Sequence, residues 1–245
     1  MAHSLFISDL HLSADRPEIL SAFSEFLVTT AVHADALYIL GDLFEYWAGD
    51  DDLDTPFNRQ VVSALANLSL SGTALYLMHG NRDFLMGDAL AADCGASLLP
   101  DPQMRVIHGV ATLLMHGDTL CTDDTAYMAF REQVRDAQWQ QAFLAQPLAL
   151  RKAQIEQLRE QSKQAQREKA AEIMDVNAES VINSLRKHGY PRLIHGHTHR
   201  PALHVHEIDG HRCERWVLPD WYEQGGYLRC DEHGCAAIKI EGVQK

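Results

Sequence analysis

The chain has 245 residues, 46% of them hydrophobic, with 21 basic and 34 acidic side chains and a formal net charge of −13. This composition excludes a disordered chain and allows either one domain with an insertion or two small domains. The acidic balance repels phosphate backbones, so we expect no nucleic-acid partner.

The N-terminal segment has neither a basic leader nor a cleavage site, and it carries an acid at Asp9. We therefore expect neither a signal peptide nor a transmembrane helix, and no other apolar run is long enough to span a bilayer. These features predict a cytoplasmic protein whose membrane contact, if it has any, is peripheral. The five cysteines are odd in number and lack C-x-x-C spacing, which favours reduced thiols over a disulfide framework.

Four short apolar runs end in polar residues of the kind found in active sites. They lie at residues 5–7, 36–40, 74–78 and 110–115. Each run predicts a buried strand. Helix-like segments at residues 18–30 and 57–70 separate the first three runs, and this alternation indicates βαβ units. In such sheets, ligands bind beyond the carboxyl ends of the strands, which is where the polar residues stand.

A second type of sequence begins at residue 124. From there to about residue 187 the strand signals disappear and Ala, Gln, Glu, Lys and Arg dominate, which predicts a helical insertion. Its first part is apolar, whereas residues 151–170 contain six basic and three acidic side chains. A strand is predicted again at residues 192–194. The tail from residue 202 to 240 alternates apolar and polar residues, which predicts antiparallel strands that close a second sheet.

Two pairs of residues have the spacing of metal ligands. Asp9 and His11 are two residues apart at a strand end, as are His197 and His199, and such neighbours point to the same side. Each pair alone is a weak signal, because a single strand-end histidine is more often only hydrogen-bonded. The ordered series D-x-H, G-D, G-N, H-G-D and G-H-x-H, each following an apolar run, is a strong signal for a metal centre.

This series resembles that of the calcineurin-like metallophosphoesterases over nearly the full chain. The resemblance implies an α/β fold in which two sheets lie between layers of helices (αββα). Residues 1–245 would form one such domain, with residues 124–187 as a helical insertion. The resemblance also implies two metal ions bridged by Asp42. One ion would be held by Asp9, His11, Asp42 and His199, and the other by Asp42, Asn81, His116 and His197.

The predicted ligands are a mixture of oxygen and nitrogen atoms without thiolate, which suits Mn²⁺, Fe or Zn²⁺. A bridged pair of ions clamps a phosphoryl group and lowers the pKa of water. Activated water is therefore the predicted nucleophile. No serine or cysteine motif for a side-chain nucleophile is evident.

Arg82 stands where many members of this family have a histidine that assists the leaving group. An arginine cannot serve as a general acid, but it can bind a phosphate in a bidentate manner. We hypothesise that the leaving group is itself a phosphate, so that the substrate contains a diphosphate bond. The alternative is that Arg82 only binds phosphate and the acid lies elsewhere, for example at His195.

Further segments resemble a narrower family, the UDP-2,3-diacylglucosamine diphosphatases of lipid A biosynthesis. These segments are residues 8–12, 41–47, 79–84, 116–124 and 173–177. The resemblance implies hydrolysis at the α-phosphate to UMP and 2,3-diacylglucosamine 1-phosphate (lipid X), with two Mn²⁺ per chain. It also implies a lipid-nucleotide substrate and peripheral contact with the cytoplasmic face of the inner membrane.

The resemblance assigns roles to individual residues. The implied catalytic residues are Asp42, Asn81, Arg82 and His116. The implied substrate contacts are Asn81, Arg82, Asp124, Ser162, Gln166, Lys169 and His197. Gln166 stands where the family has asparagine. Trp47 and Asp118 are expected to support the metal ligands.

The apolar residues of the insertion are expected either to house acyl chains or to pack its own helices. Its basic stretch is expected to meet the diphosphate, an anionic membrane or solvent.

Three other functions stay open at this point. The first is a related phosphoesterase that acts on another nucleotide or a cyclic phosphodiester, which the insertion disfavours because a small ligand does not need it. The second is a protein phosphatase, which Arg82 and the insertion disfavour. The third is a non-catalytic scaffold, which the complete ligand set disfavours. The sequence leaves the oligomeric state open.

Overall fold

The computed structural model describes residues 2–168, 175–222 and 225–240, excluding the side chains of residues 163–168. The helices are α1 Pro17–Thr29, α2 Pro56–Leu70, α3 Asp88–Cys94, α4 Thr125–Arg135, α5 Ala137–Leu144, α6 Leu148–Glu168 and α7 Ala178–Lys187. The strands are β1 Ser4–Ile7, β2 Ala36–Leu40, β3 Ala74–Met78, β4 Ala96–Leu99, β5 Gln103–Ile107, β6 Val110–Leu114, β7 Arg192–His195, β8 Ala202–Ile208, β9 His211–Val217, β10 Gly226–Asp231 and β11 Gly234–Lys239.

The first sheet has the strand order β11-β10-β1-β2-β3-β4. Strands β1 to β4 run parallel, and β10 and β11 add antiparallel strands at the other edge. Every residue of β1 and β2 is buried, which explains their continuous apolar sequence, because a parallel sheet is covered on both faces. Helices α1 and α2 cover one face through residues such as Phe23, Phe26 and Leu65.

The second sheet has the order β5-β6-β7-β9-β8. Its inner face packs on the first sheet, where Phe6 and Tyr38 meet Leu114 and Ile194 in one buried cluster. Its outer face carries a second cluster, which includes Leu113 and Leu193 and is covered by Val181 and Leu185 of α7. Helices, two sheets and a further helix thus form four layers. The predicted αββα sandwich is confirmed.

The tail is divided between the two sheets. Strands β8 and β9 extend the second sheet as predicted, but β10 pairs with β1 and β11 with β10, so the hairpin of residues 226–239 belongs to the first sheet. The prediction that the whole tail closes the second sheet is therefore wrong. Both hairpins alternate apolar and polar residues, and alternation reports a covered face without reporting which sheet edge receives the strand.

One cysteine pair also departs from the prediction. Cys230 and Cys235 lie directly opposite each other across β10 and β11 and form a disulfide. The expectation that all five cysteines stay reduced is therefore wrong for this pair. The other three cysteines are free and buried.

The helices α4 to α6 lie beside the carboxyl ends of the strands. Asp124 and Asp136 cap α4 and α5, since each side chain accepts a hydrogen bond from a backbone N–H of the first turn. Three basic residues of α6 face the acidic body. Arg151 pairs with Asp51, Lys152 with Asp52 and Arg159 with Glu45. This part of the basic stretch therefore anchors the helix. In the described residues, no helix is both long and apolar enough to cross a membrane.

Candidate active site

Seven polar residues reach the same edge of the two sheets. They follow the ends of β1, β2, β3, β6 and β7, as the sequence predicts. These residues are Asp9, His11, Asp42, Asn81, His116, His197 and His199. Parallel strands bring their carboxyl ends together, so residues separated by up to 190 positions in the chain become neighbours.

Two carboxylates lie among the first group of histidines. The Oδ1 atom of Asp9 is 3.4 Å from Nε2 of His199 and 4.0 Å from Nε2 of His11. The Oδ2 atom of Asp42 is 3.7 Å from Nε2 of His11 and 3.9 Å from Nε2 of His116. Asp42 therefore lies between the two histidines, as a bridging ligand must.

Asn81 is the centre of the second group. Its Oδ1 atom lies 3.0 Å from Nε2 of His116 and 2.9 Å from Nδ1 of His197. The other ring nitrogen of His116 lies 2.9 Å from the carbonyl oxygen of Leu40, to which it donates. That bond directs Nε2, where a metal ion would take the place of a proton, towards Asn81 and Asp42, which is the usual arrangement of a ligating histidine.

The backbone at this edge adopts an unusual conformation. Eight non-glycine residues have a positive φ in the described chain, and five of them are candidate ligands. These five are Asp9, His11, Asp42, His197 and His199. Left-handed backbone costs on the order of 1–3 kcal/mol per residue and concentrates at functional sites. The left-handed backbone of these residues is strained, and it directs their side chains towards the candidate metal site.

Two glycines allow the carboxylates to approach the neighbouring loops. A Cβ atom on Gly80 would lie 2.0 Å from Oδ1 of Asp42, and one on Gly196 would lie 2.2 Å from Oδ2 of Asp9. Such distances are far inside van der Waals contact. The G-N and G-H steps of the sequence series therefore have a steric cause.

The buried atoms of the site fit a pair of divalent cations. The Oδ1 atom of Asp9 and both ring nitrogens of His11 are buried without a hydrogen-bond partner among the residues described. Burial lowers the pKa of His11 to about 3 and that of His197 to about 4, so both rings are neutral and able to ligate at pH 7. Burial also raises the pKa of Asp42 to about 7, and the neighbouring carboxylates of Asp83 and Asp9 add to this shift.

The pKa of His116 is also shifted by the charges of the site. Burial would lower its pKa, but the surrounding carboxylates, Asp42, Asp118 and Asp9, raise it to about 9. A proton here compensates negative charge that a divalent cation would otherwise neutralise. The donor set of three carboxylate or amide oxygens and four imidazoles suits Mn²⁺, Fe or Zn²⁺.

Asp83 is a supporting residue to which sequence reasoning assigned no role. Its buried carboxylate accepts hydrogen bonds from the backbone N–H groups of Leu43 and Gly80, at 2.7 and 2.8 Å. It accepts further bonds from Phe44 and Asp42, both at 3.3 Å. Asp83 thus joins the loop that carries Asp42 to the loop that carries Asn81.

The two residues expected to support the metal ligands have other partners. Trp47 donates its indole N–H to Asp50 at 3.0 Å, and its backbone N–H to the carbonyl oxygen of Arg82. Asp118 accepts from the Tyr127 hydroxyl and from Nε of Arg131, both at 2.7 Å. Asp118 influences the site through its charge on His116 rather than through a hydrogen bond to a ligand.

A polar cavity of about 640 Å³ opens above the candidate ligands. It contains four of the predicted substrate contacts beyond Asn81, namely Arg82, Asp124, Ser162 and His197. Asp124 also holds α4, since it accepts from the backbone N–H of Tyr127 at 3.0 Å. The side chain of Gln166 and the whole of Lys169 lie outside the described residues, so their predicted contacts stay predictions.

An apolar cleft of about 320 Å³ adjoins this cavity. Its walls come largely from α4, α5 and α6, where Trp139 and Phe143 stack 4.9 Å apart. Other apolar lining residues are Tyr46, Trp47, Phe84, Leu85, Phe130, Val134, Ile155 and Leu158. Cleft and cavity share the lining residues Glu45, Asn81, Arg82, Tyr127, Arg159 and Ser162. A ligand at the metal centre can therefore place an apolar part in the cleft.

Glu45 and its partners are functional residues that sequence reasoning missed. Glu45 accepts hydrogen bonds from Arg159 and from the Tyr222 hydroxyl, and it lies 3.7 Å from Nδ1 of His11. It therefore links helix α6 to a candidate metal ligand. An acid inside the apolar run 43–47 was the available signal, because acids are seldom buried without a partner.

His195 is not placed to protonate a leaving group. Its ring is fully buried, and its two nitrogens face the carbonyl oxygen of Gly196 at 2.9 Å and Nη1 of Arg215 at 3.1 Å. Burial lowers its pKa to about 3. It is absent from the walls of the polar cavity.

Comparison with known proteins agrees with this geometry. The family model of the calcineurin-like phosphoesterases matches residues 3–201. The chain belongs to this family. Its fold is therefore that of a metallophosphoesterase, a hydrolase, and the family implies a binuclear metal site for which this edge supplies candidate ligands.

Several characterised or curated phosphoesterases are similar over nearly the whole chain. A protein named UDP-2,3-diacylglucosamine hydrolase in Aromatoleum aromaticum is 57% identical over 231 residues, which cover 94% of each chain. The protein of the same name in Cellvibrio japonicus is 49% identical and covers 96% of this chain and 97% of its own. An archaeal phosphodiesterase structure covers 97% of this chain and 99% of its own, at 14% identity and a TM-score of 0.47.

Proposed function

We propose that the protein hydrolyses the diphosphate bond of UDP-2,3-diacylglucosamine at the α-phosphate. The products are UMP and 2,3-diacylglucosamine 1-phosphate. The observation that carries this proposal is the apolar cleft that opens directly into the carboxylate and histidine cavity. A substrate with acyl chains on one side of a diphosphate matches that combination, and the relatives' shared name supports it.

Two groups of side chains support a pair of metal positions. Asp9, His11 and His199 form one close group and Asp9, Asp42 and His116 another, while Asn81 lies beside His116 and His197. We assign Asp9, His11 and His199 to one ion and Asn81, His116 and His197 to the other, with Asp42 as the bridge. When bound, a pair of divalent cations supplies Lewis acidity to the phosphoryl oxygens and lowers the pKa of water. We propose Mn²⁺ as the metal on the basis of the family resemblance and the mixed oxygen and nitrogen donors.

The chain's own residues bind and orient the diphosphate. Arg82 lines both the cavity and the cleft, and its backbone N–H donates to Oδ1 of Asp42 at 2.8 Å. This bond fixes the backbone of Arg82 beside the bridging carboxylate. We assign its guanidinium, which lines the cavity, to the phosphate that departs with the diacylated sugar. A phosphate is a good leaving group at neutral pH, so no general acid is needed there.

The cleft holds the acyl chains in this proposal. Burying apolar surface contributes about 25 cal/mol per Å², so an acyl chain in the cleft is stabilised without a specific polar contact. The two-chain substrate resides in a membrane. We therefore place the enzyme peripherally on the cytoplasmic face of the inner membrane.

The test is Mn²⁺-dependent release of UMP from UDP-2,3-diacylglucosamine in detergent micelles, beside p-nitrophenyl phosphate and its bis-ester. We expect fast UMP release from the wild type and a loss of at least about a thousandfold in Asp42→Ala and Asn81→Ala, since each removes a ligand. Arg212→Met, a change at an exposed residue that lines neither the cavity nor the cleft, should retain activity. Turnover of the generic esters alone would refute the lipid substrate and keep the metal site.

A further inference from the structure

A second groove, of about 480 Å³, also joins the polar cavity. Groove and cavity share Thr198, His199 and Arg200, so the groove begins at a candidate metal ligand. None of these three lines the apolar cleft. A diphosphate at the metal centre thus has two separate directions for its two substituents, and only one of them is strongly apolar.

Arg215 is the unusual residue of this groove. It is only 7% exposed, and its Nε and Nη1 atoms donate to ring nitrogens of His206 and His195, at 3.3 and 3.1 Å. In the part of the chain that the structure describes, no carboxylate lies within 4 Å of it. Buried charges are normally paired, because desolvation is costly. A guanidinium has five N–H donors, so others remain for oxygen atoms of a ligand.

His195 explains how Arg215 is held. Its Nδ1–H donates to the carbonyl oxygen of Gly196, so its Nε2 keeps a lone pair that accepts from Arg215. Gly196 immediately precedes His197. The guanidinium is thereby fixed to the same loop that carries two candidate metal ligands.

The remaining groove residues match the shape of a pyrimidine base. Val176, Pro201 and Val217 offer apolar surface, which suits the flat faces of a ring. The edge of uracil has two carbonyl oxygens on either side of one N–H. Arg215 supplies donors for such oxygens. The carboxylate of Asp175 lies in the same groove, where it pairs with Arg200 and accepts from the backbone N–H of Val176, and its remaining lone pairs can accept from the ring N–H.

An aromatic ring of the cavity that lies near this groove is not open for stacking. Tyr222 lies 6.0 Å from the ring of His199, but His11 stacks on it at 4.8 Å with an interplanar angle of 8°. The guanidinium of Arg16 lies 3.9 Å from the centre of the same ring. Tyr222 therefore has no open face on which a base can stack.

We propose that this groove, formed around Arg215, is the nucleoside subsite, which binds the uracil of the substrate and of the UMP product. The proposal rests on the proposed function for the identity of the nucleotide. It makes Arg215 a specificity-determining residue, and it gives His195 the role of positioning Arg215.

The test compares the affinities of UMP and ribose 5-phosphate for the full-length, Mn²⁺-loaded protein by titration calorimetry. Both ligands offer a phosphate to the metal centre, and only UMP carries the base. We expect UMP to bind the wild type at least about tenfold more tightly. Arg215→Met should reduce this advantage to about twofold or less. Arg212→Met, an exposed arginine on the same strand, should keep it.

A second variant tests the subsite independently, in case Arg215→Met, a change at a buried residue, does not fold. Ala202 is an exposed wall residue, so Ala202→Trp fills the groove without removing a hydrogen bond. It should also abolish the advantage of UMP while leaving the affinity for ribose 5-phosphate within about twofold of the wild type. Equal affinities of the two ligands for the wild type, or an advantage that survives in Ala202→Trp, would overturn the subsite.

These outcomes separate the subsite from the proposed function. Hydrolysis of the UDP-lipid without a base-dependent affinity would overturn the subsite alone. A base-dependent affinity that requires Arg215, in a protein that does not release UMP from the lipid, would support the subsite and refute the proposed substrate.

Discussion

Single residues away from the ligand set decide whether the ligands meet. Asp83 illustrates this, because its carboxylate receives four backbone N–H groups from two loops and contacts no solvent. Neither loop has a regular hydrogen-bonding pattern of its own, so the donors depend on this one acceptor. The carboxylate therefore acts as a fixed point for both Asp42 and Asn81.

Replacing Asp83 by asparagine tests that role. The amide keeps the shape but turns one acceptor into a donor that faces backbone N–H groups, so we expect the free energy of unfolding to fall by about 1–3 kcal/mol. Phosphoesterase activity should fall with it, because both loops shift. Asp93→Asn, which removes an exposed ion pair with Arg59, should cost about 0–1 kcal/mol. Urea unfolding that is identical for Asp83→Asn and the wild type would contradict this account.

Arg82 makes a prediction about the leaving group. A histidine at this position carries less charge at pH 7 and lacks the bidentate fork, so Arg82→His should reduce kcat/KM for the UDP-lipid by about 10- to 100-fold. It should gain activity on an alkyl phosphomonoester, whose alkoxide needs a proton. Arg82→Lys, which retains the charge, should gain nothing there. If Arg82→His leaves diphosphate hydrolysis intact and gains no monoesterase activity, the leaving-group hypothesis is wrong.

At the scale of elements, α4, α5 and α6 form an apolar cleft while α6 is held to the body by ion pairs. Arg159 of α6 contacts Glu45, which in turn lies beside His11. The same helix contributes Ile155 and Leu158 to the cleft. The position of α6 therefore affects both the space for acyl chains and the surroundings of a metal ligand.

A substitution in the apolar cleft should affect KM for the lipid substrate more than KM for a generic phosphodiester. Ala126 lines the cleft from an exposed position of α4, so Ala126→Trp should fold while occupying part of the space. We expect its KM for UDP-2,3-diacylglucosamine to rise about tenfold, with a much smaller change on bis(p-nitrophenyl) phosphate. Ala129→Trp, on the same helix outside the cleft, is the matched control. An equal effect of both tryptophans would remove the cleft from substrate binding.

Some elements were predictable from sequence and others were not, for physical reasons. The strands β1, β2, β3, β6 and β7 are short apolar runs, and burial on both faces leaves that pattern. Strands β4 and β5 were missed because half-exposed residues interrupt them.

The residues of the candidate site also fall into those that the sequence predicts and those that it does not. The candidate ligands follow strand ends and could be found in the sequence. Asp83, Arg159 and Arg215 could not, because their roles depend on partners that only the folded chain brings near. Glu45 left one signal, its place as an acid inside an apolar run, but its partners are also visible only in the folded chain.

At the scale of the whole molecule, the two sheets meet so that an acidic centre is buried where they join. Burial raises the pKa of Asp42 there, and the surrounding carboxylates raise that of His116. Both shifts favour the more positive form of the group, so added positive charge stabilises the buried centre.

Metal removal should accordingly lower the thermal stability of the whole chain. Divalent cations that bind only the folded state at a hundredfold excess over Kd stabilise it by about 2.7 kcal/mol. For a chain of this size that corresponds to a rise in Tm of about 5–10 °C. Asp42→Ala should show a much smaller response to Mn²⁺ in the same melting experiment. Equal Tm values for the wild type with chelator and with Mn²⁺ would contradict the metal centre.

In the proposed reaction, water attacks the α-phosphate while the diacylated sugar phosphate departs. Hydrolysis of UDP-2,3-diacylglucosamine in water labelled with heavy oxygen, followed by mass spectrometry of both products, tests this directly. We predict one labelled oxygen in UMP and none in 2,3-diacylglucosamine 1-phosphate, in a reaction that requires divalent metal. Label in the sugar phosphate would contradict the assignment, because it would place the attack at the other phosphorus and make UMP the leaving group.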